Sequence, residues 1–149
     1  MSRPLHHAAL VVQDLDLALR FYRDGLGLEV LMDHTFDGDW PALFDARSRT
    51  LRSVFLGDPA YPDAGIVELV VFDGTVTPGP PPAVPTAGFL LLSFFVDVNA
   101  TVTRLGALGL GGEPRRIEQP GPGGPVSMAT VRDPDGVLVE LIQTRPPAA

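Results

Sequence analysis

Apolar residues change their spacing several times along this chain, and each change marks an element. "LHHAALVV" (5–12) is a short extended run whose side chains alternate between two faces. "DLDLALRFYRDGLGLEV" then sets Leu15, Leu19, Phe21, Tyr22 and Leu26 at helical spacing, with Asp14 where an N-cap belongs and Gly25 and Gly27 where a helix should stop. Strand-like runs follow at 28–36, 50–58 and 65–72. The stretch 73–88, DGTVTPGPPPAVPTAG, has no period and reads as a connector. Beyond it the order returns: a strand at 90–98, a helix at 99–112 with a glycine-rich end, a weaker strand near 113–119, a Gly/Pro loop at 120–125, and strands at 126–133 and 137–144.

The repeat is visible in the offsets. Asp14 and Asp97, each opening a helix, lie 83 apart; Gly27 and Gly109, each closing one, lie 82 apart; Glu68 and Glu140 lie 72 apart. Two copies of strand–helix–three strands mean paired modules, since a solenoid would need three or more. The pattern predicts one domain over 1–149, with module one at 5–72, a Pro/Gly linker at 73–88 and module two at 89–144.

The chain has five Glu, and two stand inside strongly apolar strands, "IVELVV" and "VLVELIQ". An unpaired carboxylate costs several kcal/mol in such a place, so it must be paired, protonated, metal-bound or turned to solvent. The residues that share its face, Ile66 and Val70 for Glu68 and Leu138 and Ile142 for Glu140, are not a solvated set. Surface placement stays open as the plainer alternative. His6 and His7 raise a related question, because neighbours in a strand face opposite ways. His7 shares a face with Ala9 and Val11, and His6 with Ala8, Leu10 and Val12.

Composition narrows the chemistry. There is no Cys, and all eleven basic residues are Arg, which removes thiolate chemistry, disulfides and Schiff bases. The net charge of -7 and the absence of a basic cluster argue against nucleic acid. No apolar run reaches membrane-spanning length, and the N-terminus shows no export pattern, so a cytoplasmic protein is expected.

The stretch "HHAALVVQDLDLALRFYRDGLGLEV" and the ending "VRDPDGVLVELIQ" resemble the vicinal oxygen chelate superfamily, which includes glyoxalase I, methylmalonyl-CoA epimerase, extradiol dioxygenases and the fosfomycin and bleomycin resistance proteins. The resemblance implies an α+β fold of paired βαβββ modules whose sheets curl into an incomplete barrel around a central cavity. It also implies a homodimer, and a divalent metal ion (Ni, Zn, Mn, Fe or Mg) held by His7, Glu68 and Glu140. Members of the family that bind metal usually carry a further His at the position of Leu91, where this chain departs from the pattern.

Three ligands would leave open positions for a substrate with adjacent oxygens, with Glu68 or Glu140 as the catalytic base. The resemblance therefore implies a lyase, isomerase or epimerase, and a ring-cleaving dioxygenase less so. The alternative is a metal-free binding protein of the bleomycin-resistance type, for an antibiotic or secondary metabolite. Trp40, Phe44, Leu91, Ser93 and Phe95 are the expected substrate contacts, with Tyr61 and Phe89 as further aromatic candidates. The segment 33–44 is the expected lid or pocket wall, and His34 a possible extra ligand. Arg52 is a candidate anion contact, though a lone strand Arg more often lies at a solvated edge. The prolines that interrupt "GPGGP" (121–125) make it a turn or lid, not a phosphate loop.

Overall fold

The computed structural model describes residues 3–144. Its elements are β1 (His7–Val11), α1 (Leu15–Leu19), β2 (Glu29–Asp37), α2 (Trp40–Phe44), β3 (Thr50–Gly57), β4 (Ile66–Phe72), β5 (Leu92–Val96), α3 (Val98–Ala107), β6 (Gly111–Gln119), β7 (Val126–Arg132) and β8 (Leu138–Gln143). The chain divides between Pro78 and Gly79 into two compact units. Each holds one open four-stranded sheet, ordered β1-β4-β3-β2 in the first and β5-β8-β7-β6 in the second. The first strand of each unit pairs parallel with the last, and the other pairs are antiparallel. This is the α+β arrangement of two βαβββ modules.

One face of each sheet is packed by its own helix. In the first unit Val12, Val54, Leu56, Val67 and Leu69 are buried together with Ala18, Phe21 and Tyr22. In the second, Ala129, Val131, Val139 and Leu141 are buried together with Val98, Thr101 and Leu105. Both helices start as the spacing predicts: Asp14 accepts from the Leu17 N–H at 3.1 Å, and Asp97 accepts from that of Ala100 at 3.0 Å. Gly27 and Gly109 take φ values of +85° and +71° past the helix ends, a region open to glycine at little cost.

One feature departs from the sequence expectation. Arg20–Gly25 continues α1 as a wider π-helical turn. Its Phe21 and Tyr22 are both fully buried, with rings 4.8 Å apart and edge to face. Adjacent residues on a regular helix point about 100° apart, and the wider turn lets both aromatics reach one core. The segment 33–44, expected as a lid or pocket wall, divides between the end of a strand and a short helix. Asp33–Asp37 completes β2 in register with β3, and Trp40–Phe44 forms α2, capped by Asp39, whose carboxylate accepts from the Ala42 N–H at 3.3 Å.

The Asp-Pro-Asp-Gly turn before β8 is held from several sides. Asp133 accepts from the N–H groups of Asp135 (2.9 Å) and Val137 (2.8 Å), and Arg132 donates to the Gly136 carbonyl at 3.1 Å. Gly136 has φ +86°. This turn fixes the register of β8, and with it the place of Glu140.

Candidate active site

In the first unit the sheet face away from α1 carries the candidate groups. Alternation along β1 puts Ala8 and Leu10 toward the helix and His7, Ala9 and Val11 on the open face. Glu68 stands opposite Ala9 on one side and Phe55 on the other. Its neighbours Ile66 and Val70 are buried at 3% and 6%, and its own side chain is 15% exposed. Outright surface placement therefore does not describe Glu68.

Its charge is met locally. His7 Nε2 lies 3.4 Å from Glu68 Oε1, and the buried Ser53 hydroxyl donates to Oε2 at 2.5 Å. The Nδ1 atoms of His6 and His7 lie within hydrogen-bond distance at 2.7 Å, and both rings lie against Phe55. His34 stands directly opposite Ser53 in β2, so it shares this face, and its ring sits 4.5 Å from that of Phe36.

The second unit repeats the frame with different side chains. Glu140 stands between Ser93 of β5 and Thr130 of β7, and Ser93 donates to Glu140 Oε1 at 2.8 Å. His7 pairs two residues before Glu68, opposite Ile66; the equivalent place opposite Leu138 falls to Leu91, one residue before β5. The register thus places Leu91 where the first unit has His7. Continuing outward, Thr130 pairs with Arg115 of β6.

Two cavities open on this face. The smaller, about 240 Å³, is lined by Arg115, Ile117, Met128, Ala129, Thr130 and Glu140. The larger, about 860 Å³, is walled by the proline-rich segment 80–86 and shares Arg115 and Thr130.

The expected aromatic contacts are dispersed. Trp40 and Phe44 stack on each other at 5.6 Å, while Phe95 (77%), Tyr61 (68%) and Phe44 (56%) are largely exposed. None of Trp40, Phe44, Leu91, Ser93 and Phe95 lines either cavity, whereas Phe89 and Leu90 line the larger. Arg52 points to the helix side of its strand and is taken by a two-pronged pair with Asp33 at 2.9 and 2.7 Å. That contact holds the Asp33 carboxyl below its usual range.

Ser53, Thr130 and Arg115 were not singled out by the sequence. A lone serine in the apolar run "TLRSVFL" is the available signal for Ser53. For Arg115 a bulge between Gly111 and Arg115 decides which of two adjacent arginines faces the cavity, and nothing in "EPRRIE" reveals it.

The donor chemistry accommodates a divalent metal in part. Ligands about 2.0–2.2 Å from one ion stand about 3.0–3.5 Å from each other, and the His7–Glu68 separation of 3.4 Å falls in that range. Both are hard or borderline donors suited to Mg, Mn, Fe, Ni or Zn. Among the described residues no group of three or more His, Asp or Glu gathers closely enough to hold an ion. The pair fits as half of a site.

The fold and these two carboxylate-bearing faces define a paired-module α+β protein of the glyoxalase kind. The chain matches the family model of the Glyoxalase/Bleomycin resistance protein/Dioxygenase superfamily over residues 4–141 and belongs to that superfamily. It is 38% identical over 145 residues to the lactoylglutathione lyase-like protein TerB of Aspergillus terreus, covering 93% of this chain and 74% of that protein. A glyoxalase family protein from Bacillus cereus shares the fold with TM-score 0.73 at 20% identity, covering 96% and 95% of the two chains. Glyoxalase I from Zea mays matches 97% of this chain and 46% of its own, with TM-score 0.64 and 26% identity.

Proposed function

We propose that this protein is a glyoxalase-like lyase or isomerase that moves a proton on a small substrate with adjacent oxygens. The observation that carries the reading is the half-buried Glu68 carboxylate, held by Ser53 and His7 on an open sheet face. Ser53 engages Oε2, which leaves Oε1 as the oxygen able to take a proton from substrate carbon and return it one atom away. The fixed carboxylate does not have to reorient during the step.

His7 and Glu68 are the residues of the first module that would hold a divalent metal, and Glu140 is the corresponding carboxylate of the second. When bound, such an ion supplies Lewis acidity toward the adjacent oxygens of the substrate. The lyase reading is supported by the name of the Aspergillus relative, and lactoylglutathione is the first substrate to try. Leu91 at the place equivalent to His7 favours a second reading, a metal-free protein that binds a small molecule.

One experiment separates the two. Metal content is measured on protein purified without chelators, and lactoylglutathione turnover is followed in the wild type, His7→Ala and Glu68→Gln. The first reading expects about one equivalent of metal, lost in His7→Ala, and turnover reduced about 10²–10⁴-fold in Glu68→Gln. Absence of metal after soaking with divalent ions, with no turnover in the wild type or either variant, leaves the binding protein.

A further inference from the structure

The cavities of the second unit contain a cation that its neighbours do not use. Arg115 lines both of them, and its guanidinium has no hydrogen-bond or ion-pair partner among the described residues. The other arginine at the larger cavity, Arg132, is committed to the Gly136 carbonyl, and Arg116, next in sequence, donates to Asn99 at 2.6 Å. Around Arg115 the smaller cavity offers the Thr130 hydroxyl, the Glu140 carboxylate and an apolar floor of Ile117 and Met128. Register places Arg115, Thr130 and Glu140 side by side on three adjacent strands, opposite one another in sequence β6, β7, β8.

Neighbouring strands stand about 4.8 Å apart, so guanidinium and carboxylate are two strands, or about 10 Å, from each other at the backbone. A small molecule can span that interval between the two side chains. The equivalent position in the first unit, opposite Phe55, is Met32. The asymmetry is specific: one module surrounds its glutamate with His7 and Ser53, the other with hydroxyls and a free guanidinium.

We infer that the face of the second module is a carboxylate-recognition subsite, in which Arg115 binds the acid group of a 2-hydroxy or 2-oxo acid bearing an apolar tail. A guanidinium matches a carboxylate with two parallel N–H···O bonds. The 2-oxygen of the ligand then lies toward the Thr130 hydroxyl, and the tail covers Ile117 and Met128. For the identity of the substrate this rests on the proton-transfer reading above; the binding itself does not.

The probes are 3-phenyllactate and its uncharged amide, titrated into the full chain while the methyl signals of Ile117, Met128 and Thr130 are followed by NMR. The acid should shift these signals saturably, and Arg115→Met should weaken its binding about 10- to 100-fold. The amide should bind weakly to both proteins. Because Arg115 is exposed and unpartnered, Arg115→Met should melt with the wild type, which shows that the loss is not unfolding. Glu140→Gln should tighten acid binding by removing a like charge. Equal affinity for acid and amide, indifference to Arg115→Met, or the absence of saturable shifts at these methyls would each overturn the subsite. Since no turnover is read, the subsite can fail while Glu68→Gln still abolishes catalysis, and the reverse can also occur.

Discussion

Two serines present hydroxyls to two glutamates, but from different depths. Ser53 is 2% exposed, whereas Ser93 is exposed to solvent. A buried hydrogen bond to a charged acceptor has no water to replace it, so Ser53→Ala should cost about 1–3 kcal/mol. For a chain of this size that is a fall of roughly 2–10 °C in melting temperature. Ser93→Ala should stay within about 0.5 kcal/mol, because water takes over the bond. Thermal melts of the two variants decide the matter, and equal losses would refute the difference in depth. The same contrast explains what was legible at this scale. Glu68 announced itself because a carboxylate among Ile66, Val67, Leu69 and Val70 is costly without a partner. Its partner Ser53 gave little signal, because serine is tolerated on either face of a strand.

At the scale of elements, the strands were readable because alternation and the Asp and Gly boundaries agree with one another. The π-turn was not, since its cause is tertiary: two adjacent aromatics drawn into one core. The short helix α2 was also hidden, because five residues are too few to show a period, and Pro41 with the Asp39 cap is all that marks it. Register is the property of strands that matters most for the site. It equates His7 with Leu91 and Ala9 with Ser93. A histidine placed at 91 should therefore stand beside Glu140 as His7 stands beside Glu68. Leu91→His should raise affinity for Zn or Ni by at least about tenfold, as one added imidazole ligand does when its geometry suits. Calorimetric titration of metal into wild type and variant reads this directly. An unchanged affinity would mean that the equivalence of register does not extend to the side chains.

The whole molecule carries eighteen acidic residues against eleven arginines, with pI near 4.7. Against that background an uncommitted guanidinium in a cavity is a local exception, which is why Arg115 rather than overall charge decides what the second unit attracts. In two exposed pairs a carboxyl is held below its usual range: Asp33 by its hydrogen bonds to Arg52, and Asp24 by those to Arg23. A depressed carboxyl adds stability above its unfolded pKa, and this is lost as pH falls through the folded one. The relevant window therefore lies below about pH 4, the ordinary range of Asp, and not near neutrality. Both pairs face solvent, so the effect is small and sensitive to salt. Asp33→Asn should melt slightly below the wild type at pH 7, and the gap should begin to narrow as pH falls below about 4, where Asp33 starts to take up a proton. Melting curves at pH 7, 5, 4 and 3 in low salt provide the check. If the gap at pH 3 is as wide as at pH 7, the Asp33–Arg52 contact stabilises the first unit by shape and packing, and its charge is incidental.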